Sequence, residues 1–295
     1  MANSPHKSIS TLRLGERDFV WGERTYVMGV VNATPDSFSG DGVLPTTGEV
    51  QQAVDQALRM EDEGADIIDI GGESTRPVSI YPDAKPVEAE NEIARVVPVI
   101  EGLIGRLEVP ISIDTRKATV AAAAVAAGAS LVNDVSMLGD AAMSGMLAES
   151  GVPIIVSHIR QGRHQGDVVE DVLGDLRRSI EELVSAGVER SHVIVDPGVG
   201  FAKSGAQSMA LLRNISELRA MLALPVLIGT SRKSFIGAVT GESVDDRRFG
   251  TAATVALAIQ GGADIVRVHD MREMVSVVKM SDALTRQQRD GTPDA

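Results

Sequence analysis

The sequence predicts an α/β protein, a single (β/α)8 barrel (TIM barrel) with an N-terminal hairpin-like extension. Three observations predict it. Short apolar, β-rich runs alternate with helical stretches, which implies βαβ units and a parallel sheet. The runs are apolar throughout, as strands are when both faces are buried. Eight such units in one chain of 295 residues favour a closed barrel over an open sheet.

In order, a hairpin-like lead over 12–25 carries turn signals at Gly15-Glu16 and Gly22-Glu23. Strands are expected over 27–31, 67–70, 111–113, 131–132, 153–156, 193–195, 226–228 and 265–268. Helices are expected over 49–63, 88–107, 117–127, 141–149, 168–186, 207–222, 247–260 and 272–288. The step Gly-Ala recurs just before strands at Gly64-Ala65, Gly128-Ala129 and Gly262-Ala263, where it reads as a helix C-cap at the bottom of the barrel. The chain thus divides into an extension over 1–26 packing on the barrel, a catalytic barrel over 27–288, and a disordered tail over 289–295.

Composition narrows the function. Hydrophobic residues make up 43% of the chain, ample for a core. The net charge of −13 repels nucleic acid and anionic lipid, so neither is an expected partner. No cysteine is present, so disulfides and thiolate metal sites are out. The polar start over 1–11 lacks the apolar segment of a signal peptide, and no apolar run approaches a membrane span. A cytoplasmic location is the expectation that fits.

Each predicted strand ends in polar groups. The first ends in Asn32, with Asp36 and Phe38 beyond it; the second holds Asp69 and leads into Thr75-Arg76-Pro77. The third gives Asp114-Thr115, the fourth Asn133-Asp134, the fifth Ser157-His158 and the sixth Asp196. The last two give the basic phrases Ser231-Arg232-Lys233-Ser234 and Arg267-Val268-His269. Polar groups at this end of a barrel read as chemistry, and cations after the seventh and eighth strands are where phosphate is commonly held. The search therefore turns to an anionic small molecule. Ordinary roles stay open for some of these residues: Asp69 and Asp134 as loop holders, Asp36 as a turn residue, Ser231 as a helix cap, Phe38 and Phe201 as packing plugs. Asp114, Asn133 and Asp196 together are harder to explain so, because burying three such groups without partners is costly.

The phrases Met28-Gly29-Val30-Val31-Asn32-Ala33-Thr34-Pro35-Asp36-Ser37-Phe38, 64–77, 111–115, Asn133-Asp134-Val135, 196–203, 231–237 and 267–270 run in the order of the dihydropteroate synthase family, which this sequence resembles from about Met28 to Met280. The resemblance implies a transferase of folate biosynthesis, usually a homodimer. The family joins 6-hydroxymethyl-7,8-dihydropterin pyrophosphate to p-aminobenzoate and releases pyrophosphate, by a route that looks dissociative. It is also the family that sulfonamides target.

By the same resemblance, Asp114, Asn133, Asp196 and Lys233 bind the pterin. Asn32, Arg76, Arg267 and His269 bind pyrophosphate, with Asn32 as the protein ligand of Mg²⁺. Asp36, Phe38, Thr75, Pro77, Phe201, Lys233 and Ser234 form the p-aminobenzoate pocket. Asp114, Lys233, Arg267 and His269 carry the catalysis. The chain departs from the family at Val78 and Ala202, where glycine is common, and at Ser157-His158-Ile159 with the short segment after it. Two other functions share a pterin layer: methyl transfer from methyltetrahydrofolate to a corrinoid, and pterin binding without catalysis.

Overall fold

The computed structural model describes residues 11–33, 46–73, 87–160 and 166–286. Eight parallel strands form its centre: β3 (Tyr26–Asn32), β4 (Ile67–Gly71), β5 (Ile111–Asp114), β6 (Leu131–Asp134), β7 (Ile154–Ser157), β8 (Val193–Asp196), β9 (Leu227–Ile228) and β10 (Ile265–Val268). Neighbours in space are neighbours in sequence from β3 to β8; β10 then pairs with both β3 and β9. The ring closes through the bridge Val195↔Val226 and the bond from Val195 N to Pro225 O at 3.0 Å. Only Asn32 and Arg267 are not fully buried among these strand residues, which is why the sequence shows continuous apolar runs.

The hairpin precedes the ring as β1 (Thr11–Leu14) and β2 (Arg17–Val20), turning at Gly15 with φ +57°. Its Leu12, Leu14 and Phe19, with Trp21 just beyond, join one apolar cluster with Met28, Ile67, Leu131, Ile155, Ile194, Leu227 and Ile265. Those seven are inward residues near the start of their strands, so the hairpin plugs the lower mouth. Phe19 and Trp21 pack on Tyr26 at ring-centroid distances of 4.5 and 5.6 Å, favourable aromatic geometry.

Strand side chains alternate between faces. Two residues above the plug the inner face therefore carries Asp69, Asn133, Asp196 and Arg267, and the next layer His269. The same period places His158 and Asp134 on the outer face.

The outer ring holds α1 (Thr47–Asp62), α2 (Ala89–Leu103), α3 (Ala118–Ala127), α4 (Met143–Ser150), α5 (Val168–Ala186), α6 (Gly205–Arg213), α7 (Ile215–Leu222), α8 (Ser234–Thr240), α9 (Arg248–Gln260) and α10 (Met271–Thr285). Thr46 with Glu49 and Ser204 with Gln207 are capping boxes that start α1 and α6. Gly64, Gly128 and Gly262 end their helices at φ +103°, +122° and +95°, a backbone region open to glycine, as the Gly-Ala repeat predicts.

Three features differ from the sequence expectation. The helix expected over 207–222 breaks at Asn214, whose Nδ2 donates to Ala210 O at 2.8 Å and competes with the helical backbone. Helix α8 begins directly at Ser234, inside the basic phrase, where no helix is expected from the sequence. Helix α2 stops at Leu103 instead of 107, because Ile104 is extended and Gly105 takes φ +74°.

Candidate active site

A continuous rung crosses the upper rim of the sheet: Asn32 pairs with Gly71, Gly71 with Asp114, and Asp114 with Asn133. Further round, Ser157 pairs with Asp196. Arg267 rises into this ring from β10. Its Nε donates to Asp69 Oδ2 at 2.6 Å and its terminal nitrogen to Asp114 Oδ2 at 2.7 Å. Asn133 Nδ2 also donates to Asp69 Oδ2, at 3.0 Å. Asp69 is thus part of the site, one of the two openings left to it by the sequence. Asp134 takes the other: its carboxylate accepts from Ser136 and from Leu138 N and only folds the loop after β6.

After this pairing, Asp69 Oδ1, Asp114 Oδ1 and Asn133 Oδ1 are buried and lack a hydrogen-bond partner among the described residues. Three orphaned acceptors in one layer are costly unless a donor-rich ligand meets them. Asp196 stands across from them. Its Oδ1 accepts from Gly198 N at 2.8 Å and its Oδ2 from Ser157 Oγ at 3.3 Å, leaving a lone pair on each oxygen. Lys233 donates to Val199 O, and its Nζ lies 3.8 Å from the centre of the Phe201 ring, a cation–π contact. Asn133, Ser157, Asp196, Phe201, Ser231, Lys233, Arg267 and His269 line one cleft. Ser234 follows at the exposed start of α8. Asp36, Phe38, Thr75, Arg76, Pro77 and Val78 lie outside the described residues.

Carboxylates and burial temper the positive charge of the basic phrases. Arg267 sits between two carboxylates. Arg232 is held by Asp270 at 2.6 Å and faces Asp245 at 3.7 Å. His269 is pushed down to about 4 by burial and then by nearby Arg267 and Arg232, so it is neutral at physiological pH. Its partner is Ser231, whose Oγ accepts from His269 N at 3.2 Å and lies 2.9 Å from Nδ1. Ser231 is therefore bonded to His269 and caps no helix. Burial likewise pushes Lys233 down to about 7, against the pull of Asp196. Burial also raises Asp196 above the usual carboxylate range.

Asp114 is raised to about 7, first by burial, with Asp69 adding repulsion and Arg267 opposing both. Its folded form holds a proton that the unfolded chain has lost, so its contribution to stability falls as pH rises from about 4 to about 7. Asp114→Asn should remove that slope and raise Tm by about 2 °C or more at about pH 8, while turnover collapses. Thermal melts of both proteins across that pH range check it; an Asn variant less stable at about pH 8 contradicts this balance of charges.

Sequence reading named Ser157 only as a strand-end polar group with no site role, and it gave Lys203 none. Ser157 carried a signal, because it shares the inner-face period with Ile155. Lys203 carried none, since its partners come from three separate segments.

Known proteins resemble this chain in sequence and in fold. A family model described as "Pterin binding enzyme" matches residues 28–269. Dihydropteroate synthase of Bacillus subtilis is 46% identical over 263 residues, 89% of each chain. That of Clostridium beijerinckii is 41% identical, covering 93% of this chain and 100% of its own. The solved dihydropteroate synthase of Xanthomonas albilineans with 4-aminobenzoic acid superposes with a TM-score of 0.86, at 40% identity over 96% of this chain and 100% of that one. On sequence and on fold alike, this chain belongs to the pterin binding enzymes, among the dihydropteroate synthases.

Proposed function

We propose that this protein is a transferase that condenses 6-hydroxymethyl-7,8-dihydropterin pyrophosphate with p-aminobenzoate, giving 7,8-dihydropteroate and pyrophosphate for folate biosynthesis. The observation that carries the residue roles is the set of orphaned acceptors, Asp69 Oδ1, Asp114 Oδ1 and Asn133 Oδ1, opposite Asp196. A pterin edge offers adjacent N–H donors. A carboxylate is the natural acceptor of two of them, and we assign that role to Asp196. Asn133 and Asp114 accept from the ring's remaining donors, and Lys233 donates to its carbonyl oxygen and N5.

The bond from the exocyclic carbon to the diphosphate oxygen breaks and its electron pair leaves on the diphosphate. Arg267 and neutral His269 donate to that group as its charge grows, so they stabilise the transition state more than the ground state. In the tautomer in which the Ser231 hydroxyl donates to Nδ1, His269 carries Nε2–H and can donate it to the diphosphate. Asp114 stabilises the electron-poor carbon that remains. The arylamine nitrogen then bonds to this carbon and gives up a proton, so no nucleophilic side chain is consumed.

Mg²⁺ fits this donor set only together with substrate. No group of three or more metal-ligating side chains occurs among the described residues. Asn32, at the end of β3, supplies one neutral oxygen, and a cation that prefers phosphate oxygens and water accepts such a minimal site. When bound, the ion neutralises diphosphate charge. By the family resemblance we assign Phe201, Lys233 and Ser234, with Asp36, Phe38, Thr75 and Pro77, to p-aminobenzoate binding, and Arg76 to the diphosphate.

We also assign the protein to the cytoplasm, as a homodimer. No helix among the described residues is long and apolar enough to cross a membrane. Val239 and Leu257, 68% and 60% exposed, line an apolar groove among α6, α8 and α9 that a second copy would cover, and Phe249 on α9 is 84% exposed. Leu257→Glu should shift the sedimentation coefficient from dimer to monomer; an unchanged dimer would move the interface elsewhere.

Methyl transfer to a corrinoid leaves the Arg267–His269–Ser231 unit without a diphosphate to hold. The testing experiment is release of pyrophosphate from the pterin substrate with Mg²⁺, with and without p-aminobenzoate. One pyrophosphate per dihydropteroate formed is expected. A protein that binds pterin but releases none is a non-catalytic binder.

A further inference from the structure

The loop after β8 reaches the cleft along a costly path. Gly198, Gly200 and Ala202 all take left-handed backbone, at φ +68°, +82° and +48°. The alanine does so at a price glycine avoids. Gly198 lies so close to the end of β7 that an added Cβ would stand 1.9 Å from His158 O. Such a loop persists only if something holds it.

Lys203 is what holds it. Its Nζ lies 3.0 Å from Gly198 O, 3.1 Å from Phe201 O, 3.2 Å from His158 O and 3.0 Å from His158 Nδ1. Three ammonium protons are thus shared among four acceptors from the loop and from β7. Behind it, His158 is fully buried and its Nε2 meets Asp175 Oδ2 on α5 at 3.0 Å. With Lys203 donating to Nδ1, Nε2 carries the ring proton and gives it to Asp175. Asp175 is anchored in turn by Arg160 at 2.9 Å and by Arg178. In front, the clasped loop presents Val199 O to Lys233 Nζ and lays the Phe201 ring against it.

We propose that Lys203 is a positioning residue: its ammonium clasps the loop after β8 onto His158 and thereby sets the Phe201 ring for the arylamine substrate. Lys203 does not line the cleft, so its effect passes through Phe201. This rests on the synthase reading above. The clasp separates two parts of the site. Asp114, Asn133 and Asp69 hold their places without it, whereas Phe201 does not.

Lys203→Met keeps the stem and removes the donors. It should raise KM for p-aminobenzoate by about 10- to 100-fold, the scale of a misplaced binding group, with kcat changed less than about threefold. Calorimetric affinity for a pterin alone should stay within about twofold. Lys203→Arg, which keeps charge and donors, should recover most of the KM. The ¹⁵N resonance of His158 Nδ1 in the unliganded protein should shift in Lys203→Met, a readout that needs no turnover. An unchanged KM, or equal loss of pterin affinity, overturns the proposal; so does an unmoved His158 resonance. Absence of pyrophosphate release from the wild type would fail the synthase reading instead, leaving the resonance to judge the clasp. If Lys203→Met does not fold, Lys203→Gln carries the same comparison against Lys203→Arg.

Discussion

Asp196→Asn should lower turnover by about 10⁴- to 10⁵-fold, the range in which a site built to pair hydrogen bonds rejects a mismatched partner. Asp196 Oδ1 is already bound by Gly198 N and Oδ2 by Ser157 Oγ. The remaining lone pairs face two pterin donors. An amide replaces one acceptor oxygen by an NH2 group, which opposes donor to donor in a buried site with no water to intervene. The fold should persist, because the amide keeps the shape and Ser157 can reverse its bond. Steady-state kinetics with pterin calorimetry check this; near-normal rates would remove Asp196 from the site. Titration adds a second reading. Asp196, raised by burial, and Asp114, raised to about 7, each lose an acceptor oxygen on protonation, so both shape the acid limb. Lys233, at about 7, loses its proton as pH rises through that value, so kcat/KM should fall on the alkaline side. The limb in kcat should lie higher, since bound anionic substrate favours the ammonium.

Arg267→Lys should lower kcat by about 10²- to 10³-fold, the usual loss when one transition-state donor is removed. The lysine keeps the charge but loses the fork. Arg267 spans Asp69 and Asp114 at once, and a single ammonium cannot hold both at 2.6 and 2.7 Å while also meeting diphosphate. Arg267→Ala is the harsher case. It leaves two buried carboxylates facing each other and should cost about 3–5 kcal/mol of stability. Loss of kcat should exceed loss of pterin affinity in Arg267→Lys; the reverse order would make Arg267 a pterin-binding residue and not a leaving-group donor.

Much of this architecture is legible in the sequence because it follows from period two. Once the runs over 67–70, 111–113 and 131–132 are read as buried strands, the residue ending each, such as Asp114 or Asn133, must lie at one rim. Parity alone also tells Ser157 from His158: Ser157 shares a face with Ile155, so His158 turns outward to α5. What parity cannot tell is which charges meet. Arg267 and Asp69 are 198 positions apart, and their pairing decides that the basic phrase is neutralised instead of open. The same holds for Lys203, whose acceptors come from His158, Gly198 and Phe201. The break at Asn214 escaped because its cause is a side chain bonding back to Ala210, a competition that apolar periodicity does not register.

The central claim is that buried oxygens left unpaired by the protein are paired by a pterin whose diphosphate lies against Arg267 and His269. A crystal structure of the protein with the pterin diphosphate tests it most directly. The account predicts two ring donors on the two oxygens of Asp196, further donors on Asn133 Oδ1 and Asp114 Oδ1, and the diphosphate within bonding distance of His269 Nε2. A pterin seated elsewhere, or one that leaves those oxygens unpartnered, would contradict it.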